Sequence, residues 1–172
     1  MIKQALRSRL SSYWKMEVGN LLLVPGFMVF ACIWLEQSMS FWLALACVPM
    51  CGLLLLGGLY WRAKLHQLEG KPQTLKDLLP WAAKLQWPFA VFSILSLTLL
   101  LGVWIFSIGA STGDRISITV AAVLTILEYI NYYHRQLQHF DHAADFKRLI
   151  TGRGFGPSQM ANDLARMRQR CS

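Results

Sequence analysis

Four apolar blocks that contain neither lysine nor arginine dominate the sequence, and each is about 20 residues long. A helix of about 20 apolar residues crosses the roughly 30 Å of hydrocarbon in a bilayer. Of the 172 residues, 55% are hydrophobic, which exceeds the share usual in soluble domains. The pattern predicts an all-α membrane protein, a four-transmembrane-helix bundle. The predicted membrane helices are about 18–36, 40–61, 87–108 and 116–134.

The basic residues alternate along the chain. Four precede the first apolar block, none lies in the first loop, five lie in the second, one lies in the third and seven follow the last block. Since positive residues remain on the cytoplasmic side of a membrane, this alternation predicts that both termini are cytoplasmic. No nucleic-acid-binding motif accompanies the net charge of +8, so we expect no nucleic-acid partner.

We expect the basic residues to contact the anionic headgroups of the lipid bilayer or a partner protein, because each contributes about 1 kcal/mol near an anionic surface. The candidates are Arg7, Arg9, Lys15, Arg62, Lys64, Arg135, Lys147, Arg148 and Arg153.

Three regions follow from these patterns. Residues 1–17 form an amphipathic cytoplasmic arm, 18–135 the bundle, and 136–172 a cytoplasmic helical tail. Within the second loop, the pattern of residues 74–85 predicts a further amphipathic helix. We expect this helix and the arm to lie on the inner membrane surface. The tail is predicted to continue the fourth helix and to break at 151–158. A last helix then begins, capped by Ser158, with Met160, Leu164 and Met167 on one stripe.

Glu128 is the most unusual residue of the apolar blocks. It lies about seven residues, or ~10 Å, from the inner edge of the last membrane helix. Carboxylates at membrane depth usually face the bundle and have a partner. We interpret the surrounding polar residues either as a proton, ion or headgroup site, or as a hydrogen-bond network that fixes packing. The cluster comprises Glu128, Asn131, His134, Asn20, His66 and Ser93, with Glu17 and Tyr60 nearby. Tyr132 is expected at headgroup level.

Metal ligands are sparse. Cys32, Cys47 and Cys51 lie at similar depth, where thiols suit Cu(I), although cysteine is also an ordinary packing residue. His139 and His142 share one helix face, but zinc requires three or four ligands. We therefore expect no metal and no cofactor, and no catalytic motif indicates an enzyme.

Three strings carry a resemblance: "GLYWRAKL" after the second apolar block, "EYINYYHRQLQHFD" at the end of the fourth, and "MANDLAR" in the tail. The chain resembles a group of small bacterial four-helix inner-membrane proteins that have no assigned activity. The likeness covers mainly the last membrane helix and the tail, about a third of the chain. It implies the same architecture and a bacterial inner membrane, and it implies no reaction.

Three functional hypotheses follow. The leading one is a non-enzymatic accessory protein that binds a partner or lipid through its basic cytoplasmic face, with the tail and the Glu128 cluster as the contact surface. The second is a small proton- or ion-coupled transporter or channel centred on Glu128, which as a homo-oligomer would enclose a path. The third is a lipid-modifying membrane enzyme.

Overall fold

The computed structural model describes residues 2–34, 36, 39–107, 111–137 and 156–171, and they form five helices. Four of them, α1 to α4, are long and apolar enough to cross a membrane, which confirms the predicted helical membrane bundle. The helices are α1 (Ile2–Trp34), α2 (Phe41–Leu68), α3 (Gln73–Ile105), α4 (Thr112–Tyr133) and α5 (Gln159–Cys171).

Helix α2 is the centre of the bundle. It packs against α1, α3 and α4, whereas α1 packs mainly against α2. Half of the most apolar window of α2 is buried inside the protein, compared with 17% for α1. From Leu22 to Trp34 the exposed side chains of α1 are apolar, as expected for a helix that faces lipid.

Two hydrophobic clusters divide the interior. One includes Tyr60, Trp61, Leu75, Tyr133 and Leu164, at the end where α1 begins and α2 ends. We call this the basic end. The other cluster fills the opposite end and includes Met28, Leu43, Met50, Val103 and Ile118.

Helices α1 and α3 are longer than a bilayer requires. Each has 33 residues, which span about 50 Å, whereas the hydrocarbon layer is about 30 Å thick. The predicted arm, described from residue 2 to 17, and the predicted helix 74–85 are therefore not separate helices but parts of α1 and α3. The reason is that their apolar stripes, which include Leu10, Tyr13, Leu75 and Leu79, are buried in the cluster at the basic end.

Helix α4 has only 22 residues and ends at Tyr133. The prediction that the tail continues this helix is wrong. The Asn131 side chain accepts a 2.8 Å hydrogen bond from the Leu137 amide, and Arg135 forms an antiparallel bridge with Pro157. These contacts turn the chain away from the helix axis and bring residue 157 back beside residue 135.

Helix α5 occupies the space beyond the end of α4. As predicted, Ser158 caps this helix: its hydroxyl accepts a 2.9 Å hydrogen bond from the Ala161 amide, and it also donates to the Tyr132 carbonyl. Met160 and Leu164 are buried against the long ends of α2 and α3. The apolar stripe of the tail is thus part of the protein core.

Polar contacts also join α5 to α2. The Tyr60 hydroxyl donates a 2.7 Å hydrogen bond to Asp163, and the Lys64 amine lies 2.8 Å from the same carboxylate oxygen. Arg168 also donates a 2.8 Å bond to Gln86 on α3. Asp163 is therefore the main polar anchor of α5.

Replacing Asp163 with alanine should release α5, because Tyr60 and Lys64 would both lose their acceptor. We expect a loss of about 2 kcal/mol, and faster hydrogen exchange in 159–171 than in α2. Asn162→Ala is the matched control, since Asn162 is exposed. Equal exchange in the two variants would show that Asp163 does not anchor α5.

Candidate functional site

Two consecutive glycines on α2 allow its neighbours to approach closely. A β-carbon at Gly57 would overlap the Tyr132 hydroxyl of α4. A β-carbon at Gly58 would lie 3.1 Å from Val18 Cγ2 and 3.5 Å from Glu17 Cβ, both on α1. Helices α1 and α4 therefore both pack against the α2 backbone at this level.

Two of the side chains that face Gly57 and Gly58 are polar and almost fully buried. Glu17 is 1% exposed and Tyr132 is 2% exposed. The Tyr132 hydroxyl and the Trp61 indole nitrogen are both buried, and Tyr132 is close enough to Glu17 and Trp61 for electrostatic interaction. Tyr132 thus lies at the junction of α1, α2 and α4, with its ring inside the bundle.

Glu128 lies one helical turn from Tyr132 and is partly buried. Its carboxylate accepts a 3.3 Å hydrogen bond from the Asn131 amide. It also interacts electrostatically with Glu17 across the α1–α4 interface and with Tyr132. We call Glu17, Trp61, Glu128, Asn131 and Tyr132 the carboxylate cluster.

The other predicted members of the polar cluster make their contacts elsewhere. His66 Nδ1 lies 3.4 Å from the Thr74 hydroxyl, and the Ser93 hydroxyl donates to the Phe89 carbonyl of its own helix. His134 is exposed and its ring packs on Tyr129. Asn20 is partly buried on α1, almost one turn from Glu17.

Sequence analysis did not include Trp61, Tyr132 or the two glycines in the polar cluster around Glu128. Adjacent glycines in a membrane helix are a signal of close helix contact, and the "LLGGLYW" string around Gly57 provides that signal.

The three cysteines that were weak metal candidates lie in the same apolar cluster. The Cys47 thiol donates a 3.6 Å hydrogen bond to the Met28 sulfur, Cys32 is buried, and Cys51 is partly buried. Across the described ranges, no group of three or more histidine, cysteine, aspartate or glutamate side chains is arranged to hold a metal ion. His139 and His142 lie outside the described residues.

The described basic residues of the predicted contact surface lie at the basic end, and several are beside aromatic rings or carboxylates. Arg62 lies over the Trp14 ring, at 5.6 Å from its centroid. Lys84, which was not among the predicted contact residues, lies over Trp81 in the same way, at 5.3 Å. Arg7 forms a 2.6 Å ion pair with Glu69. Lys15 and Arg135 are exposed, while Lys147, Arg148 and Arg153 lie outside the described residues.

A cavity of about 570 Å³ opens between α1 and α2 at the basic end. It contains two of the predicted contact residues, Arg9 and Lys64. We call it the basic-end cavity. Its lining consists of Leu6, Arg9, Leu10, Tyr13, Trp61, Lys64, Gln67, Leu68, Gln136 and Gln159.

Two further grooves are almost entirely apolar. One lies between α2 and α3, and the other lies between α1 and α4. Both are lined by residues of the membrane-crossing segments, where an apolar surface faces lipid.

The chain was also compared with known proteins. No family model, curated protein or solved structure matches it. Any functional conclusion therefore depends on the geometry described above.

Gly57→Ala should destabilise the bundle, because the new methyl group would displace Tyr132 from a packed junction. We expect a loss of about 1–3 kcal/mol of stability in detergent, measured by thermal or denaturant unfolding. The matched control is Gly19→Ala, where a β-carbon meets no atom within 4 Å and helix propensity favours alanine. If both variants were equally stable, the close approach at Gly57 would be contradicted.

Proposed function

We propose that this chain is a small non-enzymatic membrane protein that binds anionic lipid through its basic end. We further propose that this end faces the cytoplasm of a bacterial cell and that the protein resides in the inner membrane. The observation that carries the proposal is that cations and aromatic rings cluster at one end of α1, α2 and α3, which at 33, 28 and 33 residues are longer than the hydrocarbon layer requires.

The cation–aromatic pairs support contact with lipid headgroups. Tryptophan is enriched at membrane interfaces, where its ring lies at headgroup level. Arg62 beside Trp14 and Lys84 beside Trp81 place a positive charge at the same level. Anionic headgroups are the complementary charges that a bilayer offers there.

The position of α5 favours lipid over a partner that would bind the tail. An amphipathic helix usually binds a partner through its apolar stripe. Met160 and Leu164 of that stripe are already buried in the core. The exposed part of α5 carries Arg166, Arg168 and Arg170, which adds positive charge to the same face.

Transport centred on Glu128 has less support from the geometry. A transported proton or ion needs a polar route from the carboxylate cluster to the opposite end. Among the described residues, that half of the helix interface is filled mostly by apolar side chains, including Met28 and Leu43. It also buries Asp114, Ser117 and Thr125 of α4, but the Thr125 hydroxyl donates to the Ala121 carbonyl of its own helix. A route within one chain would therefore cross a mostly apolar core, and the transport hypothesis is better served by a route between chains of an oligomer.

The proposed orientation is tested by cysteine labelling in intact cells. Met39→Cys, in the loop between α1 and α2, should react with a membrane-impermeant thiol reagent. Lys71→Cys, in the loop between α2 and α3, should react only after the membrane is opened. Both positions are exposed in the structure. The reverse pattern would contradict the orientation.

Selective binding is tested by measuring which lipids remain with the purified protein. Removing one interfacial charge with Arg62→Gln should reduce the enrichment of anionic over zwitterionic lipid by up to about fivefold, since such a residue contributes about 1 kcal/mol. Arg115→Gln removes one charge at the opposite end and should leave the ratio unchanged. No enrichment in the unmodified protein would contradict the proposed function.

A further inference from the structure

We propose that the groove between α1 and α4 binds a lipophilic cation, an amphiphile whose apolar chain lies in the groove and whose ammonium group pairs with Glu128. We call it the α1–α4 groove, and its walls include Leu23 and Phe27 of α1 and Val120 and Leu124 of α4. Its volume of about 340 Å³ falls within the range usual for small-molecule sites. The inference goes beyond the proposed function, because it concerns a different surface and a ligand of the opposite charge.

The α1–α4 groove leads along both helices to the carboxylate cluster. The wall residues of α4 recur every three or four positions and include Gly113, Ser117, Val120 and Leu124. The next position on that helix face is Glu128. On α1 the wall ends at Leu23, and Asn20 precedes it by three residues on the same face. The apolar walls are therefore followed by polar side chains on both helices at the basic end.

The charge of Glu128 selects a cation. In the part of the chain that the structure describes, its carboxylate contacts the Asn131 amide at 3.3 Å and interacts electrostatically with Glu17, a second carboxyl group. Neither group can neutralise a carboxylate, and charged groups at membrane depth are usually paired with the opposite charge. Glu128 is partly exposed, so a ligand in the groove can reach it. An ammonium group is the complement to this end of the groove.

The other end of the α1–α4 groove also has a carboxylate beside it, but that group is enclosed. Asp114 follows the wall residue Gly113, and only 2% of it is exposed. Its carboxylate accepts a 3.5 Å hydrogen bond from the Ser40 amide. The ammonium group therefore fits the Glu128 end. The apolar chain then extends toward Gly113, along a wall of eleven residues or about 16 Å from Leu124.

The depth of Glu128 favours an amine without a phosphate. Tyr132 packs on Gly57, and Arg62, which lies over the Trp14 ring, is five residues further along α2. Helices α2 and α4 both run toward the basic end, and Glu128 is four residues before Tyr132. Glu128 therefore lies about 13 Å deeper than Arg62. To reach it, the amine of a phospholipid would have to bring its phosphate below the headgroup level, where burying a second charge is unfavourable.

Native mass spectrometry of the full-length protein in a neutral detergent tests this site. Dodecyltrimethylammonium, dodecanol and phosphatidylethanolamine are titrated separately. We expect one dodecyltrimethylammonium per chain, bound at least about tenfold more tightly than dodecanol, because only the cation gains a charge-assisted contact. Phosphatidylethanolamine should bind more weakly than the cation.

Glu128→Gln should remove the preference for the cation over dodecanol, because glutamine keeps the length of the side chain but not its charge. Glu128→Asp retains a carboxylate and should keep part of the preference, which separates loss of the charge from loss of folding. Asp114→Asn is the matched control. It removes a carboxylate at the other end of the α1–α4 groove and should leave the preference unchanged.

Filling the α1–α4 groove tests where the apolar chain lies. Val120→Trp places a larger side chain in the groove and should abolish binding of both dodecyltrimethylammonium and dodecanol. Val123→Trp is the matched control, because Val120 and Val123 are 42% and 41% exposed on the same helix, while Val123 lies outside the groove. It should leave both affinities unchanged.

Several results would overturn the site. Equal affinity for the cation and dodecanol, or equal losses in Glu128→Gln and Asp114→Asn, would show that Glu128 does not select the ligand. Equal effects of Val120→Trp and Val123→Trp would show that the ligand does not occupy the α1–α4 groove. Phosphatidylethanolamine binding as tightly as the cation would contradict a ligand without phosphate. The proposed function would stand in each case if Arg62→Gln still reduces the enrichment of anionic lipid.

Discussion

The close approach of α1 and α4 to the backbone of α2 is the contact on which the rest of the structure depends. A membrane gives helices little hydrophobic reason to associate, so packing at small residues and interhelical polar contacts hold them together. Gly57 and Gly58 provide the small residues. Tyr132 and Glu17 provide the polar groups, and their burial at this level fixes how α1 and α4 are rotated about their axes. At the opposite end α1 and α4 are separated by an apolar groove.

The basic end has a core of its own, built from helices of which α1 and α3 are longer than the hydrocarbon layer requires. This core unites residues of all five described helices around Tyr60, Trp61 and Leu79. The charged residues outside this core surround the apolar interior and are positioned by it. A packed core of this kind holds the surrounding cations in fixed positions, which a flexible basic tail does not achieve.

The sequence was sufficient to predict the four membrane helices and the last amphipathic helix. The length of an apolar block and the helical spacing of Met160, Leu164 and Met167 are local signals, because each lies within one segment of the chain. It was also sufficient to predict the Ser158 cap, which depends on neighbours three residues apart. These features needed no knowledge of the other helices.

What could not be predicted depends on contacts between segments distant in the chain. The arm 1–17 has the pattern of a surface helix, but its apolar stripe is covered by α2, so it continues α1. Tyrosine is a residue type that is common at membrane interfaces, but Gly57 on α2 leaves space for the Tyr132 ring inside the bundle. The end of α4 is set by Asn131 and by the return of residue 157, neither of which alters helical periodicity. His66 and Ser93 were assigned to the polar cluster from their depth along the helices. His66 instead contacts Thr74, and Ser93 bonds to the Phe89 carbonyl of its own helix.

The shortness of α4 has a consequence for the integrity of the basic end. Because α4 ends at Tyr133, the separate thirteen-residue helix α5 contributes Met160 and Leu164 to the core there. If α5 detached while the membrane helices stayed packed, apolar side chains of that core would become open to water. An uncovered apolar surface of this kind is what chaperones and quality-control proteases recognise. The attachment of one short helix thus determines whether the basic end is a finished surface or a target for degradation.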